Sequence, residues 1–529
     1  MKIRKTETIL ILLIILFTGF IRFYRFGQIP ESLYWDEVAI GLDTRSIIQT
    51  GRDLSNNHWF QPIFYSYGDY KAPVYIWLTT LFSLPFGVTE IAVRLPSVLA
   101  SLAIALVLYK LSALVSSKKS MLPIFVLLSF LIMPWSFHFS HIGMESYLSL
   151  FWLTLMVYLQ ILALKTKRPL LLILAAISGV FSIYSYIAAR VICLILFIST
   201  FIIFHNKRLK KSLPSFLISL VILVASIGFL IKSPYYSASQ NYRLSNNNLL
   251  KTTEYIQQSI LAQETDNHSL LSRVFHHRYI YWLQLYFQNY FTHFSPDFLM
   301  FDGDNNLRHH SGFGGQLLFI QGFLLIIGFF SLLSSNKKIA AFILIWVVTG
   351  PAISALVNEV PHASRAIYLI VPLAWLIGLG IDSLYLKLKK LKSGNLIFIG
   401  FLIVLSLNFA IFLHDYFIHY PSHSHLAWLV PYKKSALYFK DNYPEKKVFI
   451  TNEWYQPGLY FHFYQNTPIN LLQGQFEQSL KRLDPFIFQL PTDIQPGSLY
   501  IAPPDWQADK TEVISEIPGT QEVVIKKTP

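Results

Sequence analysis

Charge is scarce in this chain of 529 residues. Asp, Glu, Lys and Arg make up 14% of it, 53% is hydrophobic, and the mean hydropathy is +0.44. Soluble domains carry charge on about a quarter of their residues, so a water-soluble globule is excluded and a polytopic membrane protein is indicated. Cysteine is almost missing: Cys193 is the single one and lies in an apolar run, so no intramolecular disulfide can form and thiols say nothing about compartment. Acidic residues are the rarer sign, 29 against 43 basic, for a net charge of +14. In a soluble protein that excess would suggest nucleic acid; in a chain this apolar the positions of the charges matter more than their sum, and no nucleic-acid partner is expected. Internal repeats and low-complexity segments are also lacking.

What is present is a series of apolar runs. Those of about 17 to 25 residues give roughly eleven spans, near 8–22, 91–114, 121–138, 146–164, 170–188, 190–205, 214–232, 313–334, 339–357, 366–385 and 395–413. The first follows Lys2, Arg4 and Lys5 and is not followed by a small-residue cleavage site, so it reads as an uncleaved span. Lys118-Lys119, Lys165 with Lys167-Arg168, Lys207-Arg208 with Lys210-Lys211, Lys337-Lys338, and the lysines from 387 to 392 fall in every second loop. Short cytoplasmic loops collect Lys and Arg, so three stretches are expected outside: a loop over about 23–90, a second over about 233–312, and the tail from 414. The stretch Ala72–Phe86, bracketed by Pro73 and Pro85, is too short to span and is expected on the outer surface as an interfacial helix.

The expected domains are therefore a transmembrane region over 1–413 and an extracytoplasmic domain over 414–529. In the latter, Val448-Phe449-Ile450, Phe486-Ile487-Phe488, Leu499-Tyr500-Ile501 and Val523-Val524-Ile525 read as strands between Pro, Gly and Asn turns. Helical pieces near Lys433–Lys440 and Phe476–Arg482 make it a small α/β domain.

Candidate chemistry gathers in the outer loops. Tyr34-Trp35-Asp36-Glu37 places two carboxylates beside a tryptophan where the chain leaves its first span, fit for acid–base work or for anchoring a cation at the bilayer surface. Lys71, Arg94, Arg190 and Arg365 stand at outer helix ends, against the topogenic bias, and suit the phosphate of a lipid carrier; snorkelling to head groups is the alternative for each. Glu145 is a second outward carboxylate. His138, His141 and Glu145 would fall on one helical face as ligands for a divalent cation, or be ordinary interfacial side chains. The second loop carries His293, Asp297, Asp304 and His309 around tight turns, as sugar recognition or a well-capped loop would.

Taken together these segments resemble the GT-C glycosyltransferases. The likeness rests on Trp35-Asp36-Glu37, Lys71-Ala-Pro-Val-Tyr75, Glu90-Ile-Ala-Val-Arg94-Leu-Pro-Ser97 and Tyr184-Ser-Tyr-Ile-Ala-Ala-Arg190. It continues in His293-Phe-Ser-Pro-Asp297-Phe-Leu with Gly303-Asp304 and Arg308-His309, and in Pro361-His362-Ala-Ser-Arg365. The chain is most similar to the dolichyl-phosphate-mannose protein mannosyltransferases and the lipid A aminoarabinose transferases. The resemblance implies an all-α polytopic fold and transfer of a sugar from a polyprenyl-phosphate donor to a hydroxyl-bearing acceptor. It implies that this happens with inversion, on the outer face of a bacterial or archaeal plasma membrane. It implies Asp36 as the catalytic carboxylate with Glu37 and Glu145 beside it, Lys71, Arg94, Arg190 and Arg365 on the carrier phosphate, and His362 among the substrate contacts. His141 departs from the Arg or Asn that relatives often carry before the acidic position. A transporter or flippase of lipid-linked substrates is the competing reading. It would place ionisable groups near mid-membrane in repeated halves, whereas here they crowd the outer rim.

Overall fold

The computed structural model describes residues 5–117, 120–205, 212–246, 249, 252–442, 444–506 and 511–527. The basic residues Lys2, Arg4, Lys118-Lys119, Lys207-Arg208 and Lys210-Lys211, on which much of the expected orientation rests, lie outside the described residues. In chain order the first helices are α1 (Lys5–Phe23), α2 (Trp35–Thr50), α3 (Pro73–Phe86), α4 (Glu90–Val115), α5 (Leu122–Leu131) and α6 (Pro134–Ser140). Then follow α7 (Glu145–Thr166), α8 (Leu170–Ile183), α9 (Ala189–Phe204), α10 (Ser212–Ile231), α11 (Tyr236–Asn246), α12 (Glu254–Thr265), α13 (Leu270–Phe275) and α14 (Arg278–Thr292). The series ends with α15 (Phe319–Leu333), α16 (Lys337–Thr349), α17 (Ile370–Leu388), α18 (Gly394–His414), α19 (Tyr420–His423), α20 (Val430–Asp441), α21 (Pro457–Tyr464) and the short α22 (Phe476–Ser479). Each of the eleven apolar runs coincides with one of these helices or, for 121–138, with the pair α5 and α6, bent by 58°. The chain is an integral membrane protein. In lipid the backbone must satisfy its own hydrogen bonds, which is why so strong a helical signal survives into the fold. At 14 residues α3 rises only about 21 Å, short of the roughly 30 Å hydrocarbon core, and α8 is of the same length.

The chain divides into two compact units. The first holds residues 1–24, 97–140 and 144–416. Within it α7 packs on α8 and α9, α15 on α17, and α17 on α5. Glycine sets the closeness of the α15–α17 contact: a Cβ on Gly328 would stand 1.8 Å from the Leu376 carbonyl oxygen, and one on Gly380 would stand 2.1 Å from that of Leu324. Without a hydrophobic drive between helices in lipid, such small-residue contact is what holds them. The outer sides of α10 and α18 keep their Ile, Leu and Val side chains exposed, as lipid-facing helices do.

The second unit holds residues 25–96, 141–143 and 417–529. It corrects the expected boundary at 413, because the tail does not form its core alone. Leu33, Val38, Ala39, Leu42 and Val93 share one buried cluster with Tyr432, Tyr460, Phe461, Ile501 and Ile525. The tail contributes a mixed six-stranded sheet. Its strands are β3 (Val448–Ile450), β4 (Arg482–Leu483), β5 (Phe486–Ile487), β6 (Leu499–Ala502), β7 (Glu512–Glu516) and β8 (Val524–Lys527), after the hairpin β1 (Phe64–Ser66) and β2 (Asp69–Lys71) of the first loop. The sheet order is β4-β5-β3-β6-β8-β7, with β3 parallel to β5 and β6 and the other pairs antiparallel. Arg45 fastens α2 to α21 through the carbonyls of His462 and Phe463 at 3.2 and 2.9 Å, and Tyr460 donates to the Leu33 carbonyl at 2.9 Å.

Candidate functional site

In the second unit the site begins at the first turn of α2. Successive residues on a helix are turned by about 100°, so Asp36 and Glu37 face different ways. Asp36 is 39% exposed at its side chain, and its Oδ1 accepts from the Lys71 ammonium and, at 2.8 Å, from the Tyr67 hydroxyl. Among the described residues nothing donates to Oδ2. Both partners come from the hairpin, whose register pairs Ser66 with Asp69 and leaves a two-residue turn. Tyr67 and Gly68 have φ of 38° and 86° there, the doubly positive pattern of the tight turns that match strand twist. The turn brings Tyr67 to Asp36, and the return strand ends on Lys71. Burial, with Asp36 beside it, pushes the Tyr67 hydroxyl well above its ordinary range, so it remains a donor.

Glu37 is 2% exposed and its partner Arg94 is fully buried. Glu37 accepts from Arg94 Nε at 2.9 Å and Nη2 at 3.2 Å, from Gly143 N–H at 2.6 Å and from Tyr34 N–H at 2.8 Å. Burial pushes its carboxyl up, opposed by Arg94 and by the Gly143 N–H. Arg94 gives its other donors to the carbonyls of Pro30 and Ser32 at 2.8 and 2.6 Å and lies over the Trp428 ring. This corrects the phosphate assignment of Arg94: a guanidinium with no exposed surface, spent on one carboxylate and two carbonyls, holds the fold together. Glu37 is likewise a structural carboxylate. A cavity of about 580 Å³ opens beside Tyr67, lined also by Asn452, Tyr455, Gln456, Glu477 and Lys481. Tyr455 packs edge-on against Trp35, and Tyr455 and Gln456 both take positive φ, 72° and 59°, a strain that non-glycine residues keep chiefly at functional sites.

The first unit contains Glu145, Arg190, Arg365 and the histidines of the second loop. Glu145 opens α7, and Arg190 sits at the start of α9 with its guanidinium 5.7 Å from the Tyr236 ring. Arg365 reaches Glu359 at 3.5 Å, and its buried Nη1 has no hydrogen-bond partner among the described residues. His293 is wholly buried. Its Nδ1–H donates to the Asn289 carbonyl at 2.9 Å, while its Nε2 accepts from the Ser354 hydroxyl at 2.7 Å and from His362 N–H at 3.3 Å. Burial lowers it to about 4, so it stays neutral. That corrects its expected contact with substrate, since both ring nitrogens are taken within the fold. Asp297 is exposed at the start of a π-helical turn.

Asp304, His309 and His362 come together, their ligand atoms within 4.8 Å of one another. Burial raises Asp304, but the neighbouring His309 and the Ala363 N–H at 2.7 Å outweigh it and hold the carboxyl below its usual range. These three residues could hold a metal ion. The set His138, His141 and Glu145 could not form the expected helical face, because α6 ends at Ser140 and α7 starts at Glu145. His138 Nε2 instead lies 2.9 Å from the Arg308 carbonyl, and His141 belongs to the other unit. Sequence reasoning missed Tyr67 and the Gly143 N–H; the Tyr67-Gly68 turn signal could have pointed to the former.

Residues 70–231 match the family model of dolichyl-phosphate-mannose-protein mannosyltransferase. No curated protein matches the chain in sequence. Among solved structures the chain is similar to ArnT from Cupriavidus metallidurans. In the apo state the TM-score is 0.56 at 10% identity, covering 99% of this chain and 98% of that one. Bound to undecaprenyl phosphate, the TM-score is 0.57 at 10% identity, covering 98% of each chain. It is also similar to the archaeal oligosaccharyltransferase AglB from Archaeoglobus fulgidus, solved with an inhibitory peptide and a dolichol-phosphate. There the TM-score is 0.50 at 12% identity, covering 87% of this chain and 64% of that one. The chain has the GT-C fold.

Proposed function

We propose that this protein is a membrane glycosyltransferase that moves a sugar from a polyprenyl-phosphate donor to an acceptor hydroxyl on the extracytoplasmic face. The observation that carries the reading is Asp36: a half-exposed carboxylate with one oxygen fixed by Lys71 and Tyr67 and the other open. Similarity to ArnT over nearly the whole chain supports it, as does the mannosyltransferase match, which begins one residue before Lys71. The resembled structures give no support to the transporter reading.

In this mechanism Oδ2 of Asp36 takes the proton of the acceptor hydroxyl as its oxygen attacks the anomeric carbon, and the carrier phosphate departs from the opposite side with inversion. Lys71 and Tyr67 hold Asp36 oriented beside the reacting atoms. Arg190 and Arg365, in the first unit, remain proposed contacts for a carrier phosphate. Asn452, Gln456 and Lys481 in the cavity beside Tyr67 offer an acceptor the hydrogen bonds a hydroxyl-rich molecule needs, with Tyr455 as an apolar wall. The test is transfer by the purified protein from a panel of polyprenyl-phosphate sugars, read as product mass. Product that forms with wild type and is lost with Asp36→Asn supports the reading; absence of transfer from every donor overturns it.

A further inference from the structure

We propose that Asp304, His309 and His362 form a binding site for a zinc-class divalent cation that staples the loop 302–312 to the segment 357–366. The three ligand atoms already converge within 4.8 Å. Around a tetrahedral zinc with bonds of about 2.0–2.1 Å, neighbouring ligands stand roughly 3.4 Å apart, so closure needs only small side-chain turns. A second observation points the same way. His309 is 8% exposed, and its Nδ1 is paired with Asp304 Oδ2 at 3.2 Å, so an imidazole nitrogen and a carboxylate oxygen are already held face to face in a buried place. A zinc ion would displace the proton between them and take both atoms as ligands.

The surroundings fix the ligands as metal sites require. Asp304 Oδ1 accepts from Asn306 N–H at 2.9 Å and Oδ2 from Ala363 N–H at 2.7 Å. His309 is held by its backbone N–H on the Asn306 carbonyl at 2.8 Å, and its ring lies 4.5 Å from that of His362. His362 Nδ1 accepts a long 3.3 Å bond from Arg365 N–H, which leaves Nε2 as the ligand atom. Binding through Nε2 moves the ring proton to Nδ1 and gives up that long bond. Two imidazoles with one carboxylate suit zinc rather than magnesium or calcium, which take oxygen donors. Three protein ligands leave one tetrahedral position for water or an oxygen of a bound solute.

Elemental analysis of the full-length protein in detergent, stripped with EDTA and reloaded with ZnCl₂, tests this. One zinc per chain is expected. His309→Ala and Asp304→Asn should lower zinc affinity at least tenfold, while His309→Cys, which replaces one zinc ligand with another, should retain the metal. Zinc K-edge absorption on the wild-type protein reads the ligands without any substitution, and should show two imidazoles with oxygen donors. Less than stoichiometric zinc, equal zinc in well-folded variants, displacement by magnesium or calcium, or a spectrum without imidazole overturns the site. Metal content is independent of sugar transfer, so failure of the proposed reaction leaves this result standing.

Discussion

Asp36 and Glu37 are adjacent in the first turn of α2, and each is paired with a cation in surroundings opposite to the other's. The Asp36–Lys71 pair keeps its carboxylate 39% exposed, whereas the Glu37–Arg94 pair is sealed, at 2% and 0%. A sealed pair with no exposed guanidinium surface offers nothing to a ligand, and losing one partner strands a charge in a low dielectric. A half-open pair can exchange partners when substrate arrives. Two acidic residues that look alike in sequence thus divide into an open one, which the proposed mechanism uses, and a sealed one, and the division follows from helix geometry and from which segment packs over each.

The largest expected effect is on the open side. Asp36→Asn keeps shape and hydrogen bonding but removes the basic oxygen, so turnover should fall about 10² to 10⁴-fold with the melting temperature unchanged. Normal turnover in this variant would end the contrast. On the sealed side the loss is of stability. Arg94→Met should cost about 3–5 kcal/mol of folding free energy, and the double variant Glu37→Leu with Arg94→Met should recover much of it, because an apolar pair replaces an ionic one without a stranded charge. Chemical denaturation in detergent measures both. A single variant as stable as wild type would show that Arg94 is not holding this unit together.

Lys71→Ala removes the cation that orients Asp36 and should lower kcat about ten- to a hundredfold, the worth of one charge-assisted contact, with donor KM little changed. Asp36 and Lys71 both stand in short motifs that the sequence singled out, but their pairing across 35 positions did not show: Lys71 was expected on the carrier phosphate and is bonded to Asp36. The apolar helices were legible for a stronger reason, that lipid forces a crossing segment to be apolar and helical; among the described residues six of them, or seven with the bent pair α5 and α6, are also long enough to cross. The tail strands from Val448, Phe486, Leu499 and Val524 also showed, through their β-rich runs between turns. Arg94 was misread because its partner lies 57 residues earlier in the chain, and no local pattern encodes that pairing. The grouping of Asp304 and His309 with His362 was hidden in the same way, by more than fifty intervening residues.

A third carboxylate on α2 sharpens the comparison at the smallest scale. Asp43 stands seven residues after Asp36, nearly the same face two turns on, but it is 1% exposed and has no cation bonded to it among the described residues; it accepts only the Leu54 N–H at 3.1 Å. Burial, and then the neighbouring Asp53, push its carboxyl up to about 8. An unfolded Asp titrates near 3.9, so between about pH 4 and pH 8 the folded chain binds a proton that the unfolded chain has released. Stability from this group is therefore present at low pH and is lost as pH rises toward 8. Going from pH 6 to pH 7 should weaken the fold by up to about 1.4 kcal/mol through this residue. Asp43→Asn keeps the acceptor for Leu54 and removes the titration. Its melting temperature should therefore gain on wild type as pH rises from 6 to 8, with little difference near pH 4. Parallel melting curves for the two proteins across that range would mean that Asp43 is ionised in the fold, and that burial alone does not separate it from Asp36.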